Sequence, residues 1–166
     1  QRSDMKFRWA AELALNGRLG KLREIQVGVP GGKIMPAWAE QPVPSDVDWD
    51  RWVGPAPMSP FHPDKLKRDN HENITLFSLG MISCWGIHHL DIAQWGNGTD
   101  ATGPVSIEGT GTYPPKDGGC DAVLNWKMRL EYASAAPVVF ASQGQEIGHG
   151  TDRKSTRLNS SHSDRS

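Results

Sequence analysis

Trp126, Met128, Leu130 and Tyr132 alternate without a break with Asn125, Lys127, Arg129 and Glu131. This is the two-residue period of a strand with one buried and one wetted face. Val105, Ile107 and Gly109 alternate in the same way with Ser106, Glu108 and Thr110. Residues 138–141 follow a turn of small residues at 134–137, and so are placed to pair with the preceding run as a hairpin. No helical pattern separates these runs, whereas parallel neighbours need a crossover, usually a helix. The expectation is therefore an α+β fold: an open mixed or mainly antiparallel sheet packed by helices, rather than a doubly wound one.

Two helices are readable. Phe7, Ala10, Ala11 and Ala14 recur at helical spacing behind Ser3-Asp4, and Asn16-Gly17 supplies residues that tolerate a left-handed stop, which predicts a helix over 4–16. A second helix is expected over 83–95, ended by Gly96-Asn97-Gly98. Between them, Ile25, Val27 and Val29 alternate with polar or small residues up to Pro30, which reads as a half-buried strand. Residues 30–70 hold most of the prolines and form a long irregular arm, a kind of loop that is more often functional than decorative. Its Trp38, Trp49 and Trp52 argue that the arm packs on something, since bulky aromatics find partners.

Charge excludes one class of partner. With 18 Lys+Arg against 19 Asp+Glu, the chain has no bulk charge with which to hold nucleic acid or an anionic membrane. Its apolar runs fall far short of the ~20 residues that span a bilayer. The two cysteines, Cys84 and Cys120, make neither a disulfide framework nor a CxxC pair. Both termini read as unnatural. The chain opens on Gln1 in helix-entry sequence, and a segment before it is expected to be missing. Residues 152–162 coincide with the in-frame translation of a common sequencing adapter, and residues 152–166 contain one aliphatic residue and no aromatic. Residues 151–166 are accordingly expected to be a disordered tail of artefactual origin.

Two glycine clusters imitate phosphate loops. Gly28 to Lys33 is one residue short of the GxxxxGK[ST] pattern and is followed by Ile34, which offers magnesium no hydroxyl. Gly109-Thr110-Gly111 lacks a third glycine and a following helix. No cofactor-binding residue is expected in this chain. The densest chemistry lies on the second helix, where Cys84, His88, Asp91 and Trp95 fall at i, i+4, i+7 and i+11 and share one stripe, with His89 about 100° away. An imidazole and a carboxylate one turn apart suit proton transfer, Asp91 orienting His88. A satisfied core histidine remains an alternative. A metal pair of Cys84 and His88, joined by His62 or His71, lacks any recognised zinc spacing, and no metal is expected.

The run from Gly80 to Trp95, GMISCWGIHHLDIAQW, resembles the G-x-H-x-x-D segment of the glucose–fructose oxidoreductase, inositol dehydrogenase and rhizopine-catabolism (Gfo/Idh/MocA) family, in particular its long bacterial branch. Supporting pieces lie in family order. FRWAAELALNGRLG at 7–20 is similar to the helix and turn after the dinucleotide domain, WVGPAP at 52–57 to the W-x-G-P-A-P loop, and GPVSIEG at 103–109 to the strand after the helix.

The resemblance implies a fragment of a two-domain NAD(P)-dependent oxidoreductase of carbohydrate metabolism whose Rossmann domain is missing. Residues 1–20 would be the helical connection from that domain and 21–150 the carboxy-terminal substrate domain, inactive alone. It implies a sugar or polyol substrate, His88 as the catalytic acid/base, Asp91 beside it, and His89, Cys84, Trp52, Trp49 and His62 around the substrate. It also implies a homo-oligomer formed through the sheet. One departure stands out: the family commonly has Asp four residues before the histidine, and here Cys84 occupies that place. A free thiol with a pKa of ~8.5 stays largely protonated at pH 7 and is a poor substitute. A non-catalytic sugar-binding module, or an NAD-dependent glycosidase of the same family, are the alternatives that follow.

Overall fold

The computed structural model of the 166-residue chain describes residues 1–144 and 147–155. Helix α1 (Met5–Leu15) starts at Asp4, whose side chain accepts from the Lys6 N–H, and stops at Asn16, with Gly17 beyond it at φ 67°. Strand β1 (Leu22–Val29) follows. The arm then carries only short pieces: α2 (Trp49–Val53), a 3-10 turn (Pro63–Leu66) and α3 (Arg68–His71). Helices α4 (Met81–Cys84) and α5 (Gly86–Gly96) precede β2 (Ser106–Thr112), β3 (Asn125–Glu131), β4 (Val138–Ser142) and β5 (Gly150–Ser155). Among the described residues no helix is long and apolar enough to cross a membrane.

The five strands form one mixed sheet in the order β2-β3-β4-β1-β5, antiparallel except for the parallel pair of β1 and β4. The expected α+β class with an open mixed sheet holds, and the expected hairpin of β3 with β4 forms. In the central ladder Ile25 faces Val138 and Val27 faces Phe140. These side chains point to one face and join Val29, Met81, Ala93, Trp126 and Leu130 in the main core, with α5 packed over β1. On the other face Val139 and Ala141 are covered by Ile147, and Arg129 ties Glu24 to Glu131 across the strands.

Three expectations are corrected. The predicted helix over 83–95 is broken at Trp85: its carbonyl accepts from the N–H groups of both His88 and His89, so the ladder tightens there. The break seats Gly86 on the core, where a Cβ would lie 2.8 Å from Phe140 Cζ. Strand β2, expected to have one buried face, is exposed at every residue, because it is the sheet edge and no helix reaches over it. The tail expected to be disordered from 151 instead continues the sheet as far as Ser155, antiparallel to β1. Its pairing rests on backbone groups, which any sequence supplies; residues 156–166 lie outside the described part.

The arm packs as its aromatics suggested. Trp49 stacks on Trp52 at 4.7 Å and meets Phe61 edge-on, and its Nε1 donates to the Ser59 carbonyl. Buried Asn70 accepts from Lys33 Nζ and donates to the Asp64 carbonyl, tying three parts of the arm together. Gly31 and Gly32 earn their place by close approach: a Cβ on Gly32 would sit 2.2 Å from the Val123 carbonyl oxygen. Gly32→Ala should therefore destabilise the fold by about 1–3 kcal/mol through overpacking against backbone. Gly103→Ala, with nothing within 4 Å of its added Cβ, should change stability by less than about 0.5 kcal/mol, and urea titration of both variants measures the difference.

Candidate functional site

The break at Trp85 divides the stripe read from sequence, leaving Cys84 at the end of α4 and His88, Asp91 and Trp95 on α5. Cys84, at the end of α4, is half-buried, with Sγ 3.4 Å from Ser78 Oγ. His88 is exposed in the first turn of α5, its ring edge-on to Trp85 at 6.4 Å. It is not a satisfied core histidine. That description fits its neighbour instead: His89 is 6% exposed, lies parallel to Trp85, and has Nε2 3.2 Å from His149 Nε2. Burial, with the imidazoles of His149 and His88 adding to it, pushes His89 below the ordinary histidine value.

Asp91 is hydrogen-bonded to Arg2 rather than to His88. Both its carboxylate oxygens accept from Arg2, at 2.8 and 2.7 Å. Arg2 also reaches both oxygens of Asp100 and lies 5.2 Å over the Trp95 ring. The hydrogen bonds from Arg2 hold the Asp91 carboxyl below the usual range. The expected pairing in which Asp91 orients His88 is thus replaced by a clamp that ties the start of the chain to α5, a partner 89 positions away in sequence.

The arm residues form a separate group. His62 Nδ1 accepts from the Asp64 N–H and caps the 3-10 turn, and its ring stacks on Trp38 at 5.7 Å. Trp52 stands between Trp49, Phe77 and His71. It lines a cavity of about 550 Å³ with Arg68, His71 and Phe77. The cavity has the size of a ligand site, with Trp52 and Phe77 as its aromatic wall. His62 and Trp49 are engaged in capping and packing rather than turned to His88.

The suggested metal set does not assemble: among the described residues no group of three or more His, Cys, Asp or Glu could hold an ion. A nicotinamide dinucleotide does not fit the residues present either. Of the glycines that imitate a phosphate loop, Gly31 and Gly32 are packed against the backbone of Val123 and Leu124 and Gly28 against Gly148, and among the described residues no strand–loop–helix unit opens on them.

Sequence reasoning missed Arg2, Gln143 and His149. Arg2 is an isolated cation far from its partners, and His149 sits alone between Gly148 and Gly150, so neither carried a local signal.

A family model described as "Oxidoreductase family, C-terminal alpha/beta domain" matches residues 32–153. No match was found among curated proteins.

The Arg2 clamp predicts non-additivity. Arg2→Gln should lower the thermal midpoint more than Asp91→Asn, because it also releases Asp100 and Trp95, and the double variant should fall no further than Arg2→Gln alone, because the Asp91 contact is already lost in it. Additive losses in melting curves would show that the two side chains act independently.

Proposed function

Because the chain belongs to the oxidoreductase family whose C-terminal alpha/beta domain matches residues 32–153, we propose that it is the substrate side of an NAD(P)-dependent enzyme that oxidises a hydroxyl of a sugar or polyol. The observation that carries this reading is the exposed His88 at the start of α5, beside an aromatic wall and free of the core.

Removing hydride from a carbinol carbon leaves a hydroxyl that must lose its proton, and a neutral imidazole within hydrogen-bond reach is a suitable acceptor. The nicotinamide supplies the hydride acceptor. It would be held by a Rossmann domain preceding this chain. What this chain contributes is the base, its backing by Trp85, and the rigid seat that Gly86 and Phe140 give the helix. The Trp52 cavity, with an aromatic face and the Arg68 and His71 polar groups, is the second place suited to sugar hydroxyls and C–H faces. Trp49 supports Trp52 from behind, and His62 and His89 act at one remove.

Two surfaces suit the partners this reading requires. On α1, Met5, Trp9 and Leu13 are about half exposed, and an open cavity of about 710 Å³ lies along Trp9, Leu13 and Arg18. This is apolar area of the kind a docked dinucleotide domain would cover. The polar face of the sheet, with Glu108, Lys127, Arg129 and Gln26 around a shallow depression, is the surface we assign to a second copy.

A second reading is favoured by one observation: Cys84 stands in the place of the family's acidic residue and lies against Ser78 rather than a charged group. That change suits a protein that keeps the sugar site and gives up the chemistry.

The two readings separate in the full-length parent protein. His88→Ala should lower turnover by about 10²–10⁴-fold with an unchanged melting curve, and Cys84→Asp should raise it. Turnover unaffected by His88→Ala removes this residue from the mechanism. Sugar-dependent thermal stabilisation without nicotinamide reduction in any of the variants supports the binding module.

A further inference from the structure

We propose that His89 and His149 form a two-imidazole site for a divalent transition-metal ion of the Zn²⁺ or Cu²⁺ type, which clamps helix α5 to the start of strand β5. Imidazole nitrogen is a preferred ligand for these ions, and the geometry is already near that of a chelate. The two Nε2 atoms are 3.2 Å apart. Two bonds of 2.0–2.1 Å meeting at a tetrahedral angle would place their nitrogens about 3.3 Å apart. The ring centroids are 4.9 Å apart, closer than collinear rings at this nitrogen separation would allow, so the ring axes bend toward one another instead of meeting head-on.

The hydrogen bonding leaves one lone pair directed at His89. The Gln143 Oε1 carbonyl only accepts, so His149 Nδ1, 3.2 Å away, carries the proton and His149 Nε2 is bare. Such a partner on the far nitrogen is what orients metal-bound histidines. With His149 Nε2 bare, His89 Nε2 is the donor of the present contact; binding an ion moves that proton to His89 Nδ1, so each imidazole stays neutral while the site gains the charge of the ion. Trp85 walls both rings, parallel to His89 and edge-on to His149 at 5.3 Å. Thr151 Oγ1 donates to the His89 carbonyl beside them, so α5 and β5 are already held in register at this point. Among the described residues no third His, Cys, Asp or Glu completes the group, and water would fill the open positions. Neither histidine is given a catalytic role above, and the proposal stands apart from the assignment of His88.

The test is titration of Zn²⁺ into the full chain, purified without a histidine tag and stripped of metal, followed by calorimetry and melting curves. The expected result is one saturable site per chain and a raised melting midpoint. His149→Ala, at an exposed position, should abolish both, and Gln143→Leu should weaken the site by about 10–100-fold. With Cu²⁺ instead, the paramagnetic spectrum should show two nitrogen ligands in the wild type and fewer in His149→Ala. His89→Gln should behave as His149→Ala does, and if that buried variant does not fold, His149→Ala decides alone. No saturable Zn²⁺ binding by the wild type, or one-to-one binding unchanged in His149→Ala, overturns the proposal.

Discussion

The parallel ladder between β1 and β4 joins segments from opposite ends of the chain, pairing Ile25 with Val138 and running to Val29 with Ser142. Closing so long a loop costs conformational entropy that only burial can offset. The burial is complete: Ile25, Val27, Val29, Val138 and Phe140 are each at most 1% exposed. Everything else attaches to this pair. β3 and β2 extend it on one side and β5 on the other, and α5 lies across it with Gly86 touching Phe140. The helix that displays His88 is held in place from beneath by the best-packed part of the molecule, while the residues displayed remain outside the core.

The same arrangement explains a division of labour between adjacent histidines. On a helix seated over a sheet, neighbouring positions are turned about 100° apart, so His88 meets solvent while His89 meets Trp85 and His149. Arg2 secures the later turns of the same helix through Asp91 and Trp95 and reaches Asp100 beyond its end. Asp91, which shares the stripe with His88, therefore serves the stability of the helix.

What could be read from the sequence follows the range of the interaction concerned. The alternation in β3, the small-residue turn that pairs it with β4, and the Asp4 and Gly17 ends of α1 are local signals, and they appear where expected. The stacking of Trp49 and Trp52 was legible as a need for burial, though not as a particular partner. The break at Trp85 was not legible, because it depends on Phe140, 54 positions after Gly86. The exposure of β2 depends on where the helices stop covering the sheet, and the pairing of β5 on an open edge of β1; neither is written in the side chains of the strand itself. The candidate site divides in the same way. The stripe of Cys84, His88 and Asp91 came from helical spacing, whereas the Arg2 and His149 contacts join distant segments and required the fold.

The most direct test of the functional account is to follow the hydrogen itself. The protein, together with the dinucleotide domain proposed for it, would be incubated with oxidised nicotinamide cofactor and sugars or polyols carrying deuterium on the carbinol carbon, and the cofactor examined by mass spectrometry. The account predicts deuterium on the nicotinamide ring, with transfer greatly slowed in His88→Ala. Protein that is stabilised by the sugar yet never moves deuterium to the cofactor would contradict it.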